Sequence, residues 1–194
     1  FERSYASILE RLNKHAVRFQ MPIGLENDHH GVVDLVKMKA YTFSGEKGIE
    51  IHEDEIPADL LADAKKYRAE LVEKVVEHDD ELMTKYLEGK EISIDEIKRA
   101  TRKAVIANKI FPVFTGSALK NVGVQLILDA VVDYLPSPLD IPPVKAINPE
   151  TGEQVLRHAS DDEPFTALAF KLQNDPFVGQ LTFFRVYSGS IEAG

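Results

Sequence analysis

In the opening stretch SYASILERLNKHAVRF, Tyr5, Ile8, Leu9 and Leu12 recur at helical spacing. The pattern predicts a helix with Ser4 as its cap. RFQMPIG predicts a short strand, and GVVDLVKMKAYTF alternates well enough for a second, ended by glycine and acidic residues. IPADLLADAKKYRAELVEKVVEHDDELMTKYLEG reads as one long helix, polar along one side and closed by Gly89. In ISIDEIKRATRKAVIANK, Ser93 followed by Glu96 three positions later is a capping box, and Ile94, Ile97, Thr101 and Ala104 share a face. FPVFTGSALKNVGVQLILDAVVDYLPSP then reads as an apolar strand, a Gly-Ser-Ala loop and an amphipathic helix stopped by prolines. A proline-rich connector with a Pro-Glu-Thr-Gly turn follows over 136–153. Beyond it, PFTALAFKLQ and QLTFFRVYSG alternate as strands about the turn NDPFVG.

Helix, strand, a helical insert, then strand and helix again is the order of an α/β domain interrupted by an insertion. A separate β domain is expected from near residue 144. The 194 residues suffice for one large domain or two small ones. No window approaches the roughly 18 consecutive apolar residues of a membrane span, and residues 1–30 lack the order of a signal peptide. The absence of cysteine excludes a disulfide framework and a thiolate metal site, and fits a reducing, cytoplasmic setting. Because it opens on Phe1 and stops just after a run of strand formers, the chain reads as a piece of a longer protein.

The net charge of −9 is unevenly spread. Residues 46–88 hold 14 acidic and 6 basic side chains, whereas residues 89–109 hold 6 basic and 3 acidic. Such a chain is a poor general binder of nucleic acid, since phosphate contacts need clustered Lys and Arg. The acidic segment can instead steer a basic partner. From Ala58 to His78, at about 100° per residue, Leu60, Leu61, Ala64, Tyr67, Leu71, Val72 and Val75 cover one face. Asp59, Asp63, Glu70, Glu73 and Glu77 fall in a narrow opposite arc with only Lys66 among them. That arc is either a solvated face or a docking stripe for a basic partner.

The loop Thr115-Gly116-Ser117-Ala118 also has two readings. It is an ordinary strand-to-helix turn, or it sets backbone N–H groups at the carboxyl edge of a sheet, where α/β proteins bind ligands. A backbone N–H there can donate to guanine O6. Adenine would oppose it with a second donor, at about 1–3 kcal/mol. The rest of a nucleotide site is missing from the sequence. G-x-x-x-x-G-K-[ST] occurs nowhere. NKHA at Asn13 has Ala16 where the base-pairing Asp of Asn-Lys-x-Asp would stand. DHHG, Asp28 to Gly31, fits Asp-x-x-Gly only formally and reads as a turn. His29 and His30, near Glu26 and Asp28, read as part of a solvated turn, because adjacent histidines in extended chain face opposite ways and no helical i, i+4 pair is present. No Ser-His-Asp arrangement, catalytic residue or metal ligand is identified.

The strings FTGSALKNVGVQLILDAVVDYLPSPLDIPPV and HASDDEPFTALAFKLQNDPFVGQLTFFRVYSG resemble the elongation factor G family of bacterial translational GTPases. So do MPIG, GVVDLVKMKAY, ELMTKYLEG and IKRATRKAVIANKIFPVFTGSAL, in the same order along nearly the whole chain. The resemblance implies a partial P-loop GTPase-type G domain with an α+β inserted subdomain, followed by the start of a β-barrel domain. Residues 1–24 would be a G-domain segment, 25–109 the insert, 110–143 the closing strand and helix of the G domain, and 144–194 the incomplete second domain. Gly116, Ser117, Ala118 and Leu119 would edge the guanine of GTP or GDP. The Mg²⁺ ligands and catalytic residues would lie in segments absent from this sequence, so the fragment alone is expected to bind no cofactor and to be inactive.

The same resemblance implies a role in ribosomal translocation of tRNA and mRNA. The ribosomal stalk protein would dock on the acidic arc, and ribosomal RNA would face the second domain, with no membrane or DNA partner. A ribosomal-protection or release-factor type of translational GTPase is the near alternative. A non-enzymatic acidic docking module is the alternative of another class.

Overall fold

The computed structural model describes residues 1–148 and 150–193, and shows a mixed α/β chain that divides into two compact units between Leu135 and Pro136. The first unit opens with α1 (Glu2–Arg11), whose N-cap is Phe1 and makes no side-chain cap bond. Ser4, expected as the cap, therefore lies inside the helix, because helical backbone already begins at Glu2. The strand expected from RFQMPIG parts at Phe19 into β1 (Ala16–Arg18) and β2 (Gln20–Ile23). These join different sheets: β1 pairs in parallel with a later strand, and β2 opens an antiparallel sheet.

GVVDLVKMKAYTF likewise forms two strands, β3 (Gly31–Asp34) and β4 (Lys39–Ser44), paired as a hairpin. The Asp34 carboxylate accepts from the amides of Val36 and Lys37, and Met38 takes φ 55°, so the chain reverses where simple alternation reads on. β5 (Glu50–Asp54) pairs along β4 to complete the order β2-β3-β4-β5.

The expected single long helix is two, α2 (Ala58–Val76) and α3 (Asp80–Leu87). Asp79 breaks it: its backbone is extended and its carboxylate accepts from Leu82 N–H, a new N-cap. α4 (Ile94–Ile106) starts with both bonds of the Ser93/Glu96 capping box in place. Lys85 and Ser93 together hold the Glu96 carboxyl down to about 2. Of the four residues expected on its inner face, Ile97, Thr101 and Ala104 are buried, but Ile94 is largely exposed.

β6 (Phe111–Val113) pairs with β1, and α5 (Val124–Tyr134) follows. The core lies among β1 to β4, α2 and α4, where Phe19, Val33, Leu35, Leu71, Val75 and Ile97 are almost fully enclosed. Phe19 joins the two sheets: its N–H donates to Val113 O of β6 and its carbonyl accepts from Leu35 N–H.

In the second unit, β7 (Val144–Ile147) pairs with β8 (Gln154–Arg157) and β9 (Thr166–Asp175) with β10 (Gly179–Ser188), both antiparallel. Pro149 of the expected Pro-Glu-Thr-Gly turn lies outside the described residues. Beside it, the Asn148 carbonyl accepts from Gly152 N–H and the Asn148 N–H donates to Glu153 O. Between β9 and β10 the Asp175 carboxylate accepts from Phe177 and Val178 N–H, which fixes the NDPFVG turn. No described helix is long and apolar enough to cross a membrane.

Candidate functional site

The loop that follows β6 is closed by its own backbone. Ser117 and Val122 exchange both amide–carbonyl hydrogen bonds, at 2.9 and 3.0 Å, around a turn in which Asn121 N–H donates to Ala118 O. Asn121 at φ 55° and Gly123 at φ 77° supply the left-handed backbone the reversal needs. The Ser117 hydroxyl accepts from Lys120 N–H. A side chain on Gly123 would meet Thr115 O at 3.0 Å, so the chain passes itself closely here.

This geometry sorts the four predicted rim residues. Gly116, Ala118 and Leu119 are exposed, Leu119 almost completely at 98%, and Ser117 is half-buried. The Ser117 amide is engaged with Val122, so it is not the free donor. The amides of Gly116, Ala118 and Leu119 donate to no acceptor among the described residues, in the connection that follows β6. A cleft of about 290 Å³ opens beside the loop, lined among others by Pro22, Gly24, His29, Thr115, Gly116 and Ser117.

His29 departs from the expected solvated turn. It is half-buried, and both of its ring nitrogens are shielded from solvent without a hydrogen-bond partner. His30 is exposed and its Nδ1 donates to Asp28 O at 2.6 Å. Asp28 ends a short 3-10 turn, Glu26–Asp28, and β3 begins at Gly31. Asn13 likewise sits in a turn after α1, its side chain accepting from His15 N–H. Among the described residues no three His, Asp or Glu side chains gather to hold a metal ion.

All five acids of the predicted arc are exposed, Asp59, Asp63, Glu70 and Glu73 along α2 and Glu77 at its C-cap. The arc contains one more cation than its spacing indicates, because Lys74 reaches Glu77 at 2.8 Å across i, i+3. On the inner side Ala64, Leu71, Val75 and Val76 are buried, while Leu61 is at the rim. Helical periodicity alone misses Arg68, which donates to the carbonyls of Leu35 and Val36 and ties α2 to the β3–β4 turn.

No family model matches the chain. The chain is similar to the crystal structure of a protein from Thermus thermophilus, at 28% sequence identity and a TM-score of 0.74, over 97% of this chain and 25% of that one. It therefore spans about a quarter of the length of the structure it matches. The likeness covers the arrangement of strands and helices in a mixed α/β chain.

Proposed function

We propose that the chain is part of a translational GTPase of the elongation factor G type, contributing the base-edge loop of a partial P-loop G domain and an acidic docking helix. What carries this reading is the Ala118 N–H, unengaged at an exposed residue of a loop closed by its own backbone after a parallel strand. The residues present fit one edge of a guanine. Phosphates and Mg²⁺ would be held by residues outside this sequence, and hydrolysis belongs to the longer protein. Radiolabelled GTP is expected to turn over no faster with the 194-residue chain than in buffer. A longer polypeptide carrying the loop should bind GDP, and Ala118→Pro, which removes the donor, should weaken that binding about tenfold. Turnover by the short chain, or undiminished GDP affinity in the variant, would refute the reading.

We further propose that the acidic arc of α2 docks a basic protein, the ribosomal stalk being the partner the family resemblance suggests. The exposure of Asp59, Asp63, Glu70 and Glu73 on one helix, with Glu77 at its C-cap, supports it. Reversing Glu70 and Glu73 to Lys should lower stalk-dependent stimulation of GTPase activity in the longer protein about tenfold. Stimulation that survives the double reversal would count against docking here and favour a merely solvated face.

A further inference from the structure

We propose that Gly48 and Gln20 are positioning residues for the base-edge loop, an inference that rests on the guanine-edge reading above. The loop is not held by its internal bridge alone. From β2, the Gln20 side chain, only 2% exposed, accepts from Thr115 N–H at 3.3 Å, just before the loop leaves the sheet. From the turn between β4 and β5, Gly48 presses its backbone against the far side. Its carbonyl accepts from Asn121 Nδ2 and Gln125 Nε2, both at 3.4 Å. From the 3-10 turn before β3, Asn27 O accepts from Lys120 Nζ at 2.7 Å. Three segments 73 to 95 residues away in sequence therefore converge on the stretch from Thr115 to Gln125.

The two Gly48 hydrogen bonds are long, and neither is strong. The closeness of the backbones is what makes the contact specific. A Cβ on Gly48 would lie 2.7 Å from Lys120 O and 3.2 Å from Asn121 O, inside ordinary van der Waals contact with backbone rather than with a yielding side chain. Gly48 also stands at φ 63°, which a larger residue adopts only with strain. Any side chain there must displace the Lys120–Asn121 turn, and that turn leads through Ala118 O to the unengaged Ala118 amide. Gln20 acts from the opposite end. Its amide fixes Thr115, and so the direction in which Gly116 to Ala118 emerge. The Gly45–Gly48 turn thus sets the aim of the Ala118 N–H without itself touching a nucleotide.

The experiment has two arms. In the 194-residue chain, hydrogen exchange of the Ser117 and Val122 amides is followed in wild type, in Gly48→Ala and in the milder Lys120→Ala/Gln125→Ala, which leaves the Gly48 backbone unchanged. Exchange should rise about tenfold in the first variant and about threefold in the second, with helical circular dichroism intact. In a longer polypeptide that binds guanine nucleotide, the ratio of GDP to ADP affinity should fall about tenfold in Gly48→Ala and less in the double variant. A purely structural contact would lower both affinities together. Unchanged exchange in both variants overturns the clamp. Faster exchange with an unchanged GDP-to-ADP ratio overturns the positioning role. Should Gly48→Ala fail to fold, the double variant decides by the same two readouts. A wild-type longer polypeptide without GDP binding, by contrast, sinks the guanine-edge reading itself and the positioning role with it.

Discussion

Truncating Phe19 to alanine is expected to lower the stability of the first unit by about 3–5 kcal/mol, the range for removing a buried phenyl ring from a core that cannot collapse around the gap. Phe19 is 1% exposed, and it meets Phe114 at 5.7 Å and Tyr134 edge-on at 5.5 Å between ring centroids. The residue lies between β1 and β2, where the strand leaves one sheet for the other, and its backbone bonds reach both. Two kinds of loss therefore coincide. The cavity removes dispersion contacts, and aromatic pairing worth about 0.5–1.5 kcal/mol beyond area burial goes with it. Because Phe114 directly precedes Thr115, the loss should also loosen the loop from Thr115 to Val122.

All described helices lie in the first unit, so far-ultraviolet circular dichroism during denaturation reports on this unit. Phe177→Ala, at a ring 94% exposed in the β9–β10 turn, is the control and should stay within about 0.5 kcal/mol. A Phe19→Ala midpoint no lower than that of the control would show that the two sheets hold together without this ring.

What could be read from the chain depended on how local its cause was. The capping box at Ser93 and Glu96 and the Asp175 turn are contained within a few residues, and both are legible. The α2–α3 break is just as local, with Asp79 as an N-cap ahead of Leu82, but continuous helical periodicity on both sides hides it. The β3–β4 reversal is hidden the same way, since alternation runs through Asp34 to Met38 without a glycine or proline to mark the turn. The loop from Thr115 to Val122 was legible as a strand-to-helix connection. Its engaged Ser117 amide was not, because that depends on Val122 closing the turn. Gln20 and Gly48 carry no local signal at all: one looks like any strand residue and the other like any turn glycine. Their contacts with Thr115, Lys120 and Asn121 arise only when β2 and the β4–β5 turn are folded against the loop.

Replacing Arg18 with Met is expected to cost about 2–3 kcal/mol, and replacing it with Lys about 1–2 kcal/mol even though the charge is kept. Arg18 is 7% exposed in β1, with its guanidinium carbon 3.7 Å from the centroid of Tyr67, 4.5 Å from Tyr5 and 5.3 Å from Phe1. Both terminal nitrogens donate to the Glu2 carboxylate, at 2.8 and 2.9 Å. This one side chain thus fastens α1 to α2 across β1. The ion pair is the weaker part, since Glu2 is 64% exposed and its carboxylate rehydrates readily once the partner is gone. The stacked rings are the larger part, because a planar guanidinium can serve several aromatic faces at once and a compact ammonium cannot. A Met side chain keeps the apolar stem and so isolates the charge and the fork.

The two contributions separate by salt. Surface ion pairing is screened at about 1 M salt, whereas the stacking of the buried guanidinium on these half-buried rings is screened much less. The loss in Arg18→Met should therefore persist nearly unchanged as salt rises. A loss that fades with salt would assign the fastening of α1 to Glu2, and an Arg18→Lys variant as stable as wild type would show that charge alone suffices and that the planarity of the guanidinium contributes nothing.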